Sequence, residues 1–173
     1  MNFPWGEISS DEISVEENGY VELNINGVNN ELKNDLMETI NKYNLSVVEA
    51  LIKRDVSKVI NASNNTLNSL KSNIKFMKDI DEFYKGKLEK IVYDLDSVEI
   101  KQYDGKYYAY ITCEEFYDSA YYYKGSTNVS TSQENSIHKY SLIYDGANKK
   151  WLIESKNQSW FSDISENTKE FDF

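Results

Sequence analysis

Between residues 31 and 51 apolar side chains return at three- and four-residue steps: Leu32, Leu36, Ile40, Tyr43, Val47 and Leu51. An α-helix turns once every 3.6 residues, so this spacing lines them along one side of a helix over about 31–53. Asp55 carries the short acceptor side chain that satisfies orphan N–H groups at a helix start. It predicts a short second helix with Val56, Val59 and Ile60. Ser63 or Asn64 caps a third helix, with Leu67, Leu70, Ile74, Met77, Ile80 and Tyr84 on one side and Gly86 at the expected stop.

From Leu88 onward the period falls to two. Val98 and Ile100 alternate with Glu99 and Lys101 up to Tyr103-Asp104-Gly105-Lys106, which reads as a hairpin because Asp and Gly both tolerate the positive φ of a type I′ turn. The return strand, about 107–124, is long. Its alternation falters at Glu114-Glu115-Phe116, which predicts a bulge in that strand. A polar loop over 125–133 leads to a third strand over 137–144. Asp145-Gly146-Ala147-Asn148 closes the next turn, and residues 151–156 make a fourth strand with Trp151 and Ile153 on one face.

Before the helices, Val21, Leu23 and Ile25 alternate with Tyr20, Glu22 and Asn24, the period of a half-buried strand. Two readings of residues 1–30 stay open: an extra edge strand, or the remnant of a preceding domain. Residues 161–173 read as a C-terminal tail. Helices followed by antiparallel strands define an α+β class, three helices on a curved sheet of about four strands. The helical stripes are too short, and too often interrupted by caps, for a coiled coil. No 20- to 50-residue repeat points to a solenoid.

Composition narrows the function classes. The 173 residues carry a formal charge of -10, and Arg54 is the sole arginine. That balance opposes binding to phosphate backbones, so nucleic acid is not an expected partner. Cys113 is the one cysteine, so no internal disulfide forms, and its place in an alternating apolar run reads as core. The sequence shows no apolar run long enough to span a bilayer and no signal peptide. None of the CxxC, HExxH, GxGxxG or GxxxxGK[ST] motifs is present, and no metal or cofactor is expected.

Two segments carry a resemblance. Residues 44–59, from Asn44-Leu45-Ser46 through Arg54-Asp55 to Val59, are similar to the opening of NTF2-like domains, where a long helix passes through an Asp into a short one. Tyr140-Ser141-Leu142-Ile143-Tyr144-Asp145-Gly146, followed by Lys150-Trp151-Leu152-Ile153, resembles the last hairpin of that superfamily. Within it the chain looks like the extracytoplasmic C-terminal domains of TcaA/YvbJ-type membrane-anchored envelope proteins of Firmicutes. The resemblance implies an NTF2-like domain over 31–160, shaped as a cone with the helices in the concave face of the sheet. It also implies an extracytoplasmic setting, with the membrane met only through an anchor outside these residues; a cytoplasmic location is the alternative. The fold hosts isomerases, dehydratases and cyclases as well as non-catalytic modules, so it implies no single activity.

His138, the one histidine, shares a strand phase with Tyr140, Leu142 and Tyr144, so His138 and Tyr140 are the pocket residues of an enzyme or ligand carrier, the alternative function. The acids Asp94, Asp96, Glu99, Glu114, Glu115 and Asp118 offer a carboxylate pair or a calcium site, against a plain reading as solvated strand edges. The tyrosine run around Tyr122, with Tyr108 and Tyr110 in phase, offers an outer aromatic face: a homodimer seam, a protein-binding surface or a platform for glycans, the expected partner being a protein or cell-envelope component or a second copy of the chain. The expectation is therefore a non-catalytic binding domain rather than an enzyme.

Overall fold

The computed structural model describes residues 2–3, 6–7, 13–15, 21–23, 30–125, 129–160 and 162–173, with side chains placed from residue 30 on except over 129–134. Among the described residues two helices and nine strands form in the order β1 (Asn2–Phe3), β2 (Gly6–Glu7), β3 (Ile13–Val15), β4 (Val21–Leu23), α1 (Asn30–Lys53), α2 (Asn64–Asp79), β5 (Glu82–Tyr103), β6 (Lys106–Tyr123), β7 (Val129–Asp145), β8 (Lys150–Gln158) and β9 (Thr168–Asp172). A single 3₁₀ turn, Val56–Lys58, stands between the helices.

The predicted long helix forms as α1, burying Leu32, Leu36, Met37, Ile40 and Tyr43. The expected second helix shrinks to the 3₁₀ turn, although Asp55 caps it as expected by accepting the Ser57 N–H at 3.0 Å. The third helix is shorter than its stripe. Ile80 caps α2 and Asp81 takes a left-handed backbone (φ 53), which turns the chain straight into β5. Tyr84 is thus a strand residue, and Gly86 stops no helix. Its reason is local: a Cβ there would lie 2.2 Å from the Tyr84 hydroxyl, because the Tyr84 ring folds along the strand across Gly86.

The main sheet is wholly antiparallel, ordered β3-β4-β5-β6-β7-β8, with β9 added to β5. Its body is five strands, β5 to β9, rather than four. Residues 168–172, expected in a tail, pair with Lys90–Asp94 of β5 and set Phe171 edge-on to Tyr93, ring centroids 5.7 Å apart. The strand expected near residue 21 forms as β4, yet it is not the edge: Val21–Leu23 pair with β5 on one side and with Ile13–Val15 of β3 on the other, so β3 takes the edge. Tyr20, Asn24 and Ile25 of that reading lie outside the described residues, as do residues 126–128 of the polar loop, which ends at Val129 where β7 begins.

The expected bulge in β6 is not there. β6 runs in register with β7 from Tyr108 to Tyr122, and the irregularities opposite it fall in β5, between Leu88 and Lys90 and between Asp94 and Glu99. Each inserted residue flips which side chains of β5 face α1, so Tyr84 and Leu88, then Ile91 and Tyr93, then Val98 and Ile100 all reach the core. A further slip in β8 beside Glu154 does the same there. Of the two Asp-Gly turns, the first is type I′, with Asp104 at φ 50 and Gly105 at φ 72. The second is a four-residue loop whose left-handed residue is Lys149 (φ 52). Asp145 ties it by accepting the Ala147 and Asn148 N–H groups at 3.1 and 3.3 Å.

α1 fills the concave face, packing on Ala109, Ile111 and Cys113 of β6 and on Tyr140 and Leu142 of β7. The entry to α2 is stitched to β8 by the Ser63 N–H donating to the Ile153 carbonyl at 2.9 Å, and by the Ile153 N–H donating to the Asn61 carbonyl at 2.7 Å. The wide end of the cone stays open between α1, α2 and the far ends of β5 to β8.

Candidate functional site

Counting by twos along β6 from Ala109, Ile111 and Cys113 brings Glu115 onto the inner face, where its side chain is fully buried. Four nitrogen or oxygen donors converge on it, and the Cys113 thiol adds a weak fifth, 3.7 Å from Oε2. Lys156 Nζ lies 2.7 Å from Oε1, the Tyr117 hydroxyl donates to the same oxygen at 3.0 Å, the Tyr140 hydroxyl donates to Oε2, and Asn44 Nδ2 from α1 reaches Oε2 at 3.4 Å. Tyr140 in turn accepts from Asn44 Nδ2 at 2.8 Å, and Lys156 also donates to Asn44 Oδ1 at 3.2 Å. A buried carboxylate is costly unless paired and hydrogen-bonded, and here it is both.

The electrostatics follow from that shell. Burial, the largest influence, pushes the Glu115 carboxyl up, but the Lys156 charge, the His138 ring and the hydrogen bonds from Lys156 and Tyr140 together hold it below the usual carboxylate range. Glu115 is ionised. Burial and then the Glu115 charge drive Tyr140 and Tyr117 well above the ordinary phenol range, and lift Tyr43 to about 12. These phenols stay protonated and act as donors. Cys113, fully buried and pushed up first by burial and then by Glu115, stays a thiol.

Above this floor opens a cavity of about 320 Å³ at the cone mouth. One wall is apolar, Val47, Val48 and Leu51 of α1 with Leu70 of α2; the other is the inner face of the sheet, with Tyr84, Tyr117, Ser119, His138, Lys156 and Gln158. A larger groove of about 620 Å³ lies by the first turns of α1 and the β7–β8 turn. There partial burial, then Glu31 and Glu38, lift the Asp35 carboxyl, but no buried charge pair faces it.

The comparisons with known proteins meet this geometry. The model of the YvbJ NTF2-like domain matches residues 36–157, which hold most of α1, all of α2 and β5 to β7, and nearly all of β8. The chain belongs to that family. The YvbJ-type domain is also 25% identical over 162 residues to the uncharacterized membrane protein YvbJ of Bacillus subtilis (strain 168), covering 92% of this chain but 26% of that protein. The chain thus spans about a quarter of the length of that relative. Among solved structures it is similar to the intermembrane space region of chloroplast protein ARC6, with TM-score 0.54 and 13% identity over 71% of this chain and 92% of that one, a likeness of fold.

In this YvbJ-type domain the two pocket residues expected from the sequence do come together. His138 and Tyr140 stand on the inner face of β7, paired with Cys113 and Ile111 of β6. Tyr140 touches the buried carboxylate, whereas His138 Nε2 stays 4.0 Å from Glu115 Oε1 and shares a 2.7 Å hydrogen bond with Ser136 instead. The outer tyrosines share a face but not a place. Tyr108 and Tyr110 lie toward the β5–β6 turn, and Tyr122 sits at the opposite end of β6, stacked on Phe83 with centroids 5.5 Å apart. Twelve or more residues of strand separate them, on the order of 40 Å, so they make no single seam.

The acid group divides likewise. Glu115 alone reaches the inner face, and among the described residues no second carboxylate touches it, so the carboxylate pair weighed against solvated strand edges does not form. Asp94 binds the backbone N–H and hydroxyl of Ser165 and so anchors the approach to β9. Among the described residues no cluster of three or more His, Cys, Asp or Glu side chains suits a metal ion. No helix among them is long and apolar enough to cross a membrane. Asn44 and Lys156 were missed by sequence reasoning. Asn44 stands one position past Tyr43 of the apolar stripe, and Lys156 reaches the inner face only because of the slip beside Glu154.

Proposed function

We propose that this domain is a non-catalytic ligand-binding module of a membrane-associated protein, and that it takes a partly apolar small molecule into the cone-mouth cavity. One observation carries the reading: Glu115, the carboxylate buried beneath the cavity, is fully engaged. A general base needs a free lone pair aimed at its substrate, and the Glu115 oxygens are taken by Lys156, Tyr117, Tyr140 and Asn44. What remains for a ligand is an aliphatic wall opposite a few fixed polar groups, the makeup of a recognition pocket. The Tyr43 hydroxyl and the Gln158 amide line it without a partner among the described residues. The membrane setting is supported by the B. subtilis relative, and the extracytoplasmic side by the envelope-type resemblance.

A second reading, an enzyme acting in the same cavity, is favoured by one specific feature: Lys156 and His138 flank a single carboxylate beside an open space. The two separate by experiment. Titrating ¹⁵N-labelled protein with a panel of small aromatic amides and sugars should give saturable shifts at Val48, Leu51 and Gln158, and Val48→Trp, which fills the cavity, should abolish them. Shifts that persist in Val48→Trp, or none at these residues, contradict the binding reading. Turnover of any member that disappears in Glu115→Gln establishes the enzyme instead.

A further inference from the structure

We propose a second binding site on this domain, distinct from the cone mouth: the cleft where α1 ends against α2, which would receive a phosphate ester. The cleft, about 520 Å³, is lined by Lys53, Arg54, Asp55, Val56, Lys71, Ile74, Lys75 and Lys78. Five of the chain's 19 Lys and Arg residues meet here, in a protein whose formal charge is -10. Against that acidic background a local cationic concavity focuses anions.

The charges are placed as well as gathered. Lys71, Lys75 and Lys78 follow at four- and three-residue steps on one side of α2, about 6 and 4.5 Å apart along its axis. Lys53 and Lys75 hold exposed partners, Glu49 and Asp79, each at 2.7 Å, and such pairs yield readily to a better anion. Asp55, the one acid in the lining, has its side chain turned to capping Ser57. Lys71 and Lys78 have no hydrogen-bond or ion-pair partner among the described residues.

Arg54 is the decisive group. α1 ends in a Schellman turn, the Asp55 N–H donating to the Ala50 carbonyl at 2.9 Å and the Arg54 N–H to the Leu51 carbonyl at 3.3 Å, so two of the four helix-end carbonyls that would repel an anion are tied off. The left-handed position in such a turn ordinarily suits glycine. Here it holds the chain's sole arginine at φ 51. The guanidinium lies 4.0 Å from the centre of the Phe83 ring, and Phe83 stacks on Tyr122. Stacking occupies a face of the guanidinium and leaves its N–H edge, which no acceptor among the described residues engages. A pre-set planar fork beside free ammonium groups matches a doubly charged phosphate better than a single carboxylate.

A phosphate ester can come from a soluble metabolite or from a lipid headgroup, and the test separates the two. Binding of tripolyphosphate is measured by calorimetry at low and physiological salt, and flotation is measured with phosphatidylglycerol and with phosphatidylcholine vesicles. Wild type is compared with Arg54→Lys, Lys71→Gln with Lys78→Gln, and the distant control Lys101→Gln, all checked for an unchanged melting point. Saturable binding that falls by about tenfold or more in Arg54→Lys, where charge is kept but the fork is lost, and not in Lys101→Gln, bears the proposal out. Tripolyphosphate binding without flotation assigns a soluble ester, and flotation on phosphatidylglycerol vesicles assigns a headgroup. No saturable binding in either arm, or binding unchanged in Arg54→Lys, overturns it.

Discussion

Lys156 Nζ stands 2.7 Å from Glu115 Oε1, at the boundary between the packed core of the cone and its open mouth. Glu115 is fully buried, while the lysine side chain keeps 26% of its surface exposed. The ammonium therefore closes the core from above: its inner hydrogen bonds satisfy the carboxylate and Asn44, and its outer side faces the cavity.

Removing the lysine alone leaves an uncompensated buried charge. Lys156→Met should cost about 3–5 kcal/mol of unfolding free energy, whereas Glu115→Gln with Lys156→Met should recover much of that loss, since neutralising both partners of a buried pair is far cheaper than orphaning one. Urea denaturation of the two single variants and the double variant checks it. Purely additive losses would show that the pair is not coupled.

The pH dependence has a definite sign. In the unfolded chain Glu115 takes up its proton near 4.5, and in the native state only at lower pH. Its contribution to stability is thus complete above the unfolded value and is lost as pH falls below it. Between pH 7 and pH 3 wild type should lose more stability than Glu115→Gln. Equal losses would mean that the carboxyl gains nothing from its shell.

Gly86 makes room for the Tyr84 ring, which seals one side of the cavity and hydrogen-bonds Ser119 at 3.2 Å. Gly86→Ala should push that ring outward at a cost of about 1–3 kcal/mol. The aromatic resonances of Tyr84 should shift and the melting point should fall. A variant as stable as wild type, with Tyr84 unmoved, contradicts this account of the glycine.

How far the sequence could be read depends on where its period is unbroken. The α1 stripe from Leu32 to Leu51 is legible because nothing interrupts it, and the Asp104-Gly105 turn because its backbone demand is specific. The α2 stripe misleads at Ile80 and Tyr84: apolar spacing continues across the boundary, while Asp81, left-handed, has already ended the helix. The site divides in the same way. Unbroken alternation through Ala109, Ile111 and Cys113 places Glu115 inside, a signal present in the sequence but hidden by reading a bulge at that point. Lys156 was not legible, because Trp151 and Ile153 assign the inner face of β8 to odd positions until the slip beside Glu154 reverses it.

The reading of the cone floor as structural, with recognition above it, stands or falls on the ionisation of Glu115. Carbon-13 NMR of glutamate-labelled protein, with the Glu115 carboxyl assigned from Glu115→Gln, follows that group directly through an acid titration. The signal should titrate at lower pH than that of an ordinary glutamate. A native-state titration above the ordinary carboxylate range would mark a poised proton acceptor and contradict the non-catalytic assignment.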